Sequence, residues 1–317
     1  MRIDVHAHYL PAEFIDAYTR LGRRATGIEL AQAGKVTLDE RVDLLAEAGV
    51  DLQVLSVGTY QPSVEKGEEA VAGARFFNDL YADICTGYGG RFAAAAATPL
   101  PHVDAAIEEV GRCLDTLGML GVNVGTSVAG RPLDDPLFGP FFAELNRRKA
   151  VLFLHPQGVG AGPMSDAYGL DWAVGGCFED TVTSLRLIWS GLTTTYPNVR
   201  IIVPHLGGTL PFLMQRISDH VQRMLFSGVQ LVPPSEAVRS LYFDTVNNYP
   251  PALRCSCEAF GAEHIMLGTD FPFLFVKPCV EYIKQSGLSA ADIDMVLNRS
   301  AQRLLGIDAP ATVAPPR

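Results

Sequence analysis

The chain has 317 residues, 48% of them hydrophobic and 19% charged, with a formal net charge of −10. That length and apolar content can bury a large core, and the low charge excludes an extended disordered protein. The acidic balance, with no Lys/Arg cluster, argues against a nucleic-acid partner, and no apolar run approaches the roughly 18 residues that span a bilayer.

From the N-terminus onward, apolar β-branched runs alternate with longer amphipathic stretches. The first predicted strand, 2–8, lies in the string IDVHAHYLP and places His6 and His8 two apart. Alternate residues of a strand face one side, so two imidazoles at this spacing can share one metal ion. The run from Met1 into this strand contains no apolar signal-peptide region. A helix is predicted over 37–47, where Leu38, Val42, Leu45 and Ala46 recur at three- and four-residue spacing. Asp39 and Glu40 sit early in it, where the helix dipole favours acids, and Gly49 stops it. A strand at 50–57, a helix at 65–87, a strand at 91–97, a helix at 102–117, a strand at 121–125 and a helix at 136–148 follow. The fifth strand, 150–155, ends on His155 and leads to a helix at 178–195. The sixth, 199–204, is followed by His205 and a helix at 209–226. A strand at 240–245 and a helix at 250–260 precede the eighth strand, 264–269, which is followed by Asp270 and a helix at 277–285. Residues 286–307 read as one or two further helices, and the Pro-rich 308–317 as a flexible tail.

Eight strand–helix repeats with continuously apolar strands suit a (β/α)8 TIM barrel with parallel strands and extra C-terminal helices, one domain over 1–307. An open doubly wound sheet would carry a glycine fingerprint in its first turn, which here reads HAHYLP. The segment GVGAGP at 158–163 does not open a helix at once, so it is not read as a dinucleotide loop. The six cysteines form no disulfide framework, and the Cys255–Cys257 pair lacks the partners of a zinc site. A reducing cytoplasm is the expected compartment.

In a barrel, His6, His8, His155, His205 and Asp270 all reach the C-terminal mouth, where barrel enzymes build their sites. Strands 1 and 8 become neighbours on closure, and His155 faces them from across the mouth. Three imidazoles and one carboxylate make an N3O set that suits Zn2+ best, with Mn2+ or iron possible, and a remaining open position would hold water or substrate. Trp172 and Phe273, in the loops after strands 5 and 8, are candidate walls for a flat ring. Lys277 and Arg131 are candidate partners for a substrate carboxylate. His264 belongs to the bottom face, and His220 and His102 to helices, as structural or solvated groups.

The segments DVHAHYLP, LLAEAGVDLQVLS, LHPQG, YPNVRIIVPHLGGTLPFL, LYFDT and IMLGTDFPF occur in this order, and with them nearly the whole chain resembles the amidohydrolase superfamily. The resemblance is to its metal-dependent decarboxylases of aminocarboxymuconate semialdehyde, γ-resorcylate and 6-methylsalicylate. It implies that His6, His8, His155 and Asp270 bind the metal and that His205 acts as a general base or orienting acid–base group; Asp270, placed on the metal, is in addition the expected proton donor. It also implies a homodimer or higher homo-oligomer. GVNVGTS, at strand 4, lacks the lysine that bridges two metals in hydrolytic members, which favours one ion. The arginine clamp of the aminocarboxymuconate enzyme has no counterpart between Gly27 and Asp39, which favours a small hydroxybenzoate-type acid. The expected activity is non-oxidative decarboxylation of a small aromatic or unsaturated carboxylic acid. A hydrolase or hydratase, using metal-activated water with His205 as base, is the alternative.

Overall fold

The computed structural model describes residues 1–24, 36–158, 160, 162–165 and 167–307. The tail 308–317 and most of the arginine-free segment after Gly27 therefore lie outside the described residues.

Eight parallel strands form one sheet in chain order. They are β1 (Ile3–His8), β2 (Leu52–Ser56), β3 (Phe92–Ala96), β4 (Gly121–Gly125), β5 (Val151–His155), β6 (Arg200–Val203), β7 (Leu241–Asp244) and β8 (Ile265–Met266). The ends of the sheet meet. Val5 donates to the Leu267 carbonyl at 2.9 Å, Asp270 to the His6 carbonyl at 2.7 Å and His8 to the Phe271 carbonyl at 2.7 Å. These bonds close the barrel beyond the two residues of β8 and bring the first and last ligand candidates side by side.

The crossovers are α1 (Ala12–Arg20), α2 (Leu38–Ala48), α3 (Gly67–Gly87), α4 (Val103–Asp115), α5 (Gly139–Arg148), α6 (Gly176–Trp189), α7 (Leu210–Phe226), α8 (Pro250–Phe260) and α9 (Val276–Lys284). Two short helices, α10 (Ala290–Asp294) and α11 (Ser300–Leu305), end the described chain, joined by one π-helical turn. Local chemistry sets the ends of α2. The Thr37 hydroxyl accepts from the Glu40 N–H while Glu40 reaches back to the Thr37 N–H, and Gly49 closes the helix at φ 66°. None of the described helices is long and apolar enough to cross a membrane.

Two apolar layers fill the structure. Inside the barrel, Ile3, Val5, Leu52, Val54, Ala95, Val151, Phe153, Ile202 and Met266 pack on one another, with Ala301 and Leu304 of α11 packed into the same cluster. Between strands and helices, Ala7, Leu55, Val122, Val124, Leu152, Leu154, Ile201 and Val203 meet the inner faces of the helices. In β1 the register against β2 shifts between Asp4 and Ala7. Strict alternation would put His6 and His8 opposite Val5; the irregularity turns them toward the mouth instead, while Asp4 and Ala7 stay on the outer face.

The structure differs from the sequence reading in local detail. The helix α1 follows Pro11 directly and buries Phe14, Ala17 and Tyr18, although no element was read there. A two-rung hairpin, Ser127–Val128 with Arg131–Pro132, follows β4. The helix predicted over 178–195 starts at Gly176 and breaks at Gly191, whose φ is 77°. A π-helical turn, Asp171–Gly175, runs into its start.

Candidate metal centre

The Nε2 atoms of His6 and His8 lie 3.1 Å apart. Asp270 Oδ1 lies 3.0 Å from the His8 Nε2 and 3.4 Å from the His6 Nε2. The His155 ring meets both edge-on, with centroids 4.9 Å from His8 and 5.2 Å from His6. One ligand atom from each of these four residues falls within 4.8 Å of the others, a spacing that could hold one metal ion.

The opposite edge of each ring tests whether the set fits a cation. His8 Nδ1 donates to the Ser56 carbonyl at 3.0 Å, and His155 Nδ1 to the Pro156 carbonyl at 2.9 Å. Carbonyls only accept, so Nδ1 carries the proton and Nε2 keeps its lone pair aimed into the cluster. His6 Nδ1 lies 2.6 Å from Asp244 Oδ2, which fixes that ring in the same sense. Three imidazole nitrogens and a carboxylate fit a divalent ion such as zinc or manganese.

The electrostatics agree. Burial pushes His8 down and His155 well below the usual histidine range, so both are neutral. Burial also acts to lower His6, but Asp244 and Asp270 outweigh it and hold His6 well above that range. Burial acts to raise Asp270, yet His6 and His8 outweigh it and keep the carboxyl well below the ordinary carboxylate range.

His205 stands beside the cluster, its ring 5.6 Å from His6 and 6.2 Å from His155. Its Nδ1 donates to Asp180 Oδ2 at 2.8 Å, and its backbone N–H to Asp244 Oδ1 at 2.9 Å. Asp244 therefore holds His6 with one oxygen and His205 with the other. Burial acts to lower His205, and Asp180, followed by Asp244, more than reverses it. Both His205 (φ 54°) and Asp270 (φ 56°) adopt left-handed backbone. That conformation costs about 1 kcal/mol or more for a non-glycine residue and is common at functional sites. Here it turns the chain sharply after β6 and β8.

The structure brings Trp172 and Phe273 together, ring centroids 5.4 Å apart, with Phe273 6.0 Å from the His8 ring. It does not bring Arg131 or Lys277 to the cluster. Arg131 sits exposed in the hairpin after β4 and pairs with Asp135 at 3.0 Å. Lys277 opens α9, exposed, with Nζ 3.9 Å from Glu47 on α2. His264 bonds the Leu241 carbonyl, His102 bonds the Val64 carbonyl and His220 packs near Trp189, away from the cluster. Sequence reasoning missed Asp180, Asp244 and Gly58. Asp244 carried a readable signal, because it ends a strand in LYFDT as Asp270 follows one in LGTDF. Asp180 lies within a helix and offered none.

Gly58 follows β2 at φ 57°, where a Cβ would fall 2.6 Å from His8 Cε1 and 3.3 Å from His155 Nε2. Gly58→Ala is expected to displace both rings and lower metal content in purified protein. Gly89→Ala, at φ 54° with open space around it, should strain the backbone and leave metal content unchanged. A second expectation follows from His6. Its raised pKa means that an incoming ion must displace a proton, so metal affinity should rise with pH through the range above the usual histidine value. Calorimetry in buffers of different ionisation enthalpy should record proton release on uptake; none would contradict the assignment.

The amidohydrolase family model matches residues 3–307. A γ-resorcylate decarboxylase of a Rhizobium species is 32% identical over 292 residues, covering 85% of this chain and 87% of its own. The 2-amino-3-carboxymuconate-6-semialdehyde decarboxylase of Dictyostelium discoideum is 29% identical over 277 residues, covering 85% and 77%. Among solved structures, a dihydroxybenzoic acid decarboxylase from a Polaromonas species, with bound manganese and 2-nitroresorcinol, superposes with a TM-score of 0.83 at 24% identity over 96% of each chain. The fold, the length of the match and the relatives agree: the chain belongs to the amidohydrolase family.

Proposed function

We propose that this protein is a metal-dependent decarboxylase that removes CO2, without oxidation, from a small hydroxybenzoate-type or unsaturated acid. One observation carries the reading: donors from three strand ends converge within 4.8 Å at the barrel mouth, with His205 beside them. The decarboxylases of Rhizobium and Dictyostelium, each matched along 85% of the chain, support the choice of reaction. His6, His8, His155 and Asp270 would hold one ion, Zn2+ by the donor set or Mn2+ by analogy with the Polaromonas structure. When bound, that ion supplies Lewis-acid polarisation of an ortho-hydroxyl or carboxylate oxygen.

The chain's own residues would do the rest. The Trp172–Phe273 pair, tilted 35° to one another, offers aromatic surface against which a ring of the substrate would pack. Loss of CO2 breaks a C–C bond and leaves its electron pair on the ring carbon, so a proton must be delivered to that carbon. Asp270, ionised in the resting site, would take up a proton from solvent once substrate is bound and pass it to that carbon, so that overall one proton is consumed for each CO2 released. His205 has Nδ1 committed to Asp180 and keeps Nε2 for the substrate oxygen. Large apolar side chains on α7, Phe212 at 82% and Phe226 at 92% exposed, support a homodimer or higher homo-oligomer.

A panel of hydroxybenzoates and muconate-type acids, assayed for CO2 with metal content measured, tests the reading. Release of ammonia or of a second acid in place of CO2 would overturn it. His205→Ala should keep the metal and lose at least ~10²-fold in turnover. His155→Ala should lose metal and activity together. Asp180→Asn removes the charge that raises His205, so the limb of the rate profile set by His205 should move to lower pH.

A further inference from the structure

Arg41 is 1% exposed, among the largest fully buried side chains of the protein. It sits on the face of α2 that turns toward the barrel, between rings rather than in water. Its guanidinium lies 4.4 Å from the Phe271 ring centroid and 5.1 Å from that of Tyr9. One arm donates to the His8 carbonyl at 2.8 Å and another to Gln53 Oε1 at 3.2 Å. Gln53, fully buried, passes its amide to Asp4 Oδ2 at 2.7 Å. Asp4, also fully buried, then accepts from the Thr269 hydroxyl at 2.6 Å, the Thr269 N–H at 3.0 Å and the His6 N–H at 3.2 Å. This polar chain runs beneath the centre through α2, β2, β1 and the segment after β8. Its outputs are the backbones of His8, of His6 and of Thr269, the residue before Asp270.

Stability alone does not account for such a network. Burying a guanidinium costs desolvation that an apolar side chain of the same size does not incur, the Arg41 acceptors are a neutral carbonyl and a neutral amide oxygen, and Arg41 Nε is buried with no hydrogen-bond partner. What a guanidinium offers over a hydrocarbon is a rigid fork that holds two acceptors at a set separation. Two of the four ligand candidates, His6 and His8, share one strand with a register irregularity between Asp4 and Ala7, and Asp270 stands on left-handed backbone. Ordinary sheet pairing does not dictate those conformations, so something else must hold them.

We propose that Arg41 is a positioning residue of the metal centre: its fork fixes the His8 carbonyl, and through Gln53 and Asp4 it sets the backbone carrying His6 and Asp270. The inference rests on the metal-centre reading above and extends it to a residue that touches neither ion nor substrate. Gln53 and Asp4 act in the same chain, downstream of it.

The test measures Mn2+ dissociation constants, by the electron paramagnetic resonance signal of free Mn2+, on the full chain and its variants, with the metal-free Tm alongside. Arg41→Met should raise the Mn2+ Kd at least ~10-fold, the usual effect of removing a group that orients metal ligands. Arg41→Lys should not restore affinity, because one ammonium cannot span the His8 carbonyl and Gln53 Oε1. Val110→Ala, in the buried layer under α4, lowers Tm without touching the network and should bind Mn2+ as the parent does. Tyr9→Leu keeps Arg41 but removes one ring of its sandwich, and should raise the Kd ~3-fold. If the Arg41 variants lose Tm like Val110→Ala yet keep the parent affinity, Arg41 is structural only and the inference is wrong. Should neither Arg41 variant fold, unchanged affinity in Tyr9→Leu overturns it by itself. A parent chain that takes up no Mn2+ sinks the metal-centre reading and this inference with it, whereas uptake with unaltered affinity in the variants sinks the inference alone.

Discussion

Electron-pair donors drawn from opposite ends of the chain lie closer than they would choose to. His6 Nε2, His8 Nε2 and Asp270 Oδ1 are 3.0 to 3.4 Å apart in a buried site. Lone pairs at that spacing repel unless a proton or a cation lies between them. Burial removes the water that would otherwise soften the repulsion. The charge that Asp244 and Asp270 favour on His6 offsets part of that force, and the surrounding polar groups hold the ligand candidates in place.

Each restraint comes from a different level. Barrel closure joins β1 to the segment after β8 through backbone bonds, so His6 and Asp270 become neighbours across 264 positions of sequence. A register irregularity in β1 aims His6 and His8 at the mouth. Carbonyls and Asp244 fix the rings. Gly58 leaves room for two of them, since any larger residue would overlap His8. Asp244 also ties His205 to His6, so the proposed ion site and the proposed acid–base group are one mechanical unit. Trp172 and Phe273 stand at the rim of this framework, where they can meet a ligand.

Much of this was legible in residue order. Apolar β-branched runs alternating with amphipathic stretches marked all eight strands to within two residues at their starts, because strands covered on both faces are predominantly apolar. The last strand was the exception at its far end: the run read to 269 but ladder pairing stops at Met266, the remainder bonding to Asp4 and β1 instead. Helix α2 shows a different failure. Its hydrophobic spacing selected Leu38, Val42, Leu45 and Ala46, whereas the buried face is Arg41, Leu45 and Ala48. A periodicity rule cannot turn an arginine inward. Only the rings of Tyr9 and Phe271 and the acceptors behind them make that orientation favourable. Arg131 and Lys277 were candidates by charge and loop position alone, and both found acidic partners nearer at hand.

Residue order by itself determined the barrel and the five side chains at its mouth, since strand periodicity and the C-terminal position of each His or Asp are properties of local sequence. Tertiary structure decided which groups hold those five. Asp180, Gly58 and the Arg41–Gln53–Asp4 chain meet the site across sequence separations that no local pattern encodes, and even Asp244, legible as a strand-end acid, shows its two partners only in the fold. Their role exists only once closure has removed water and made every buried donor depend on the acceptor it meets.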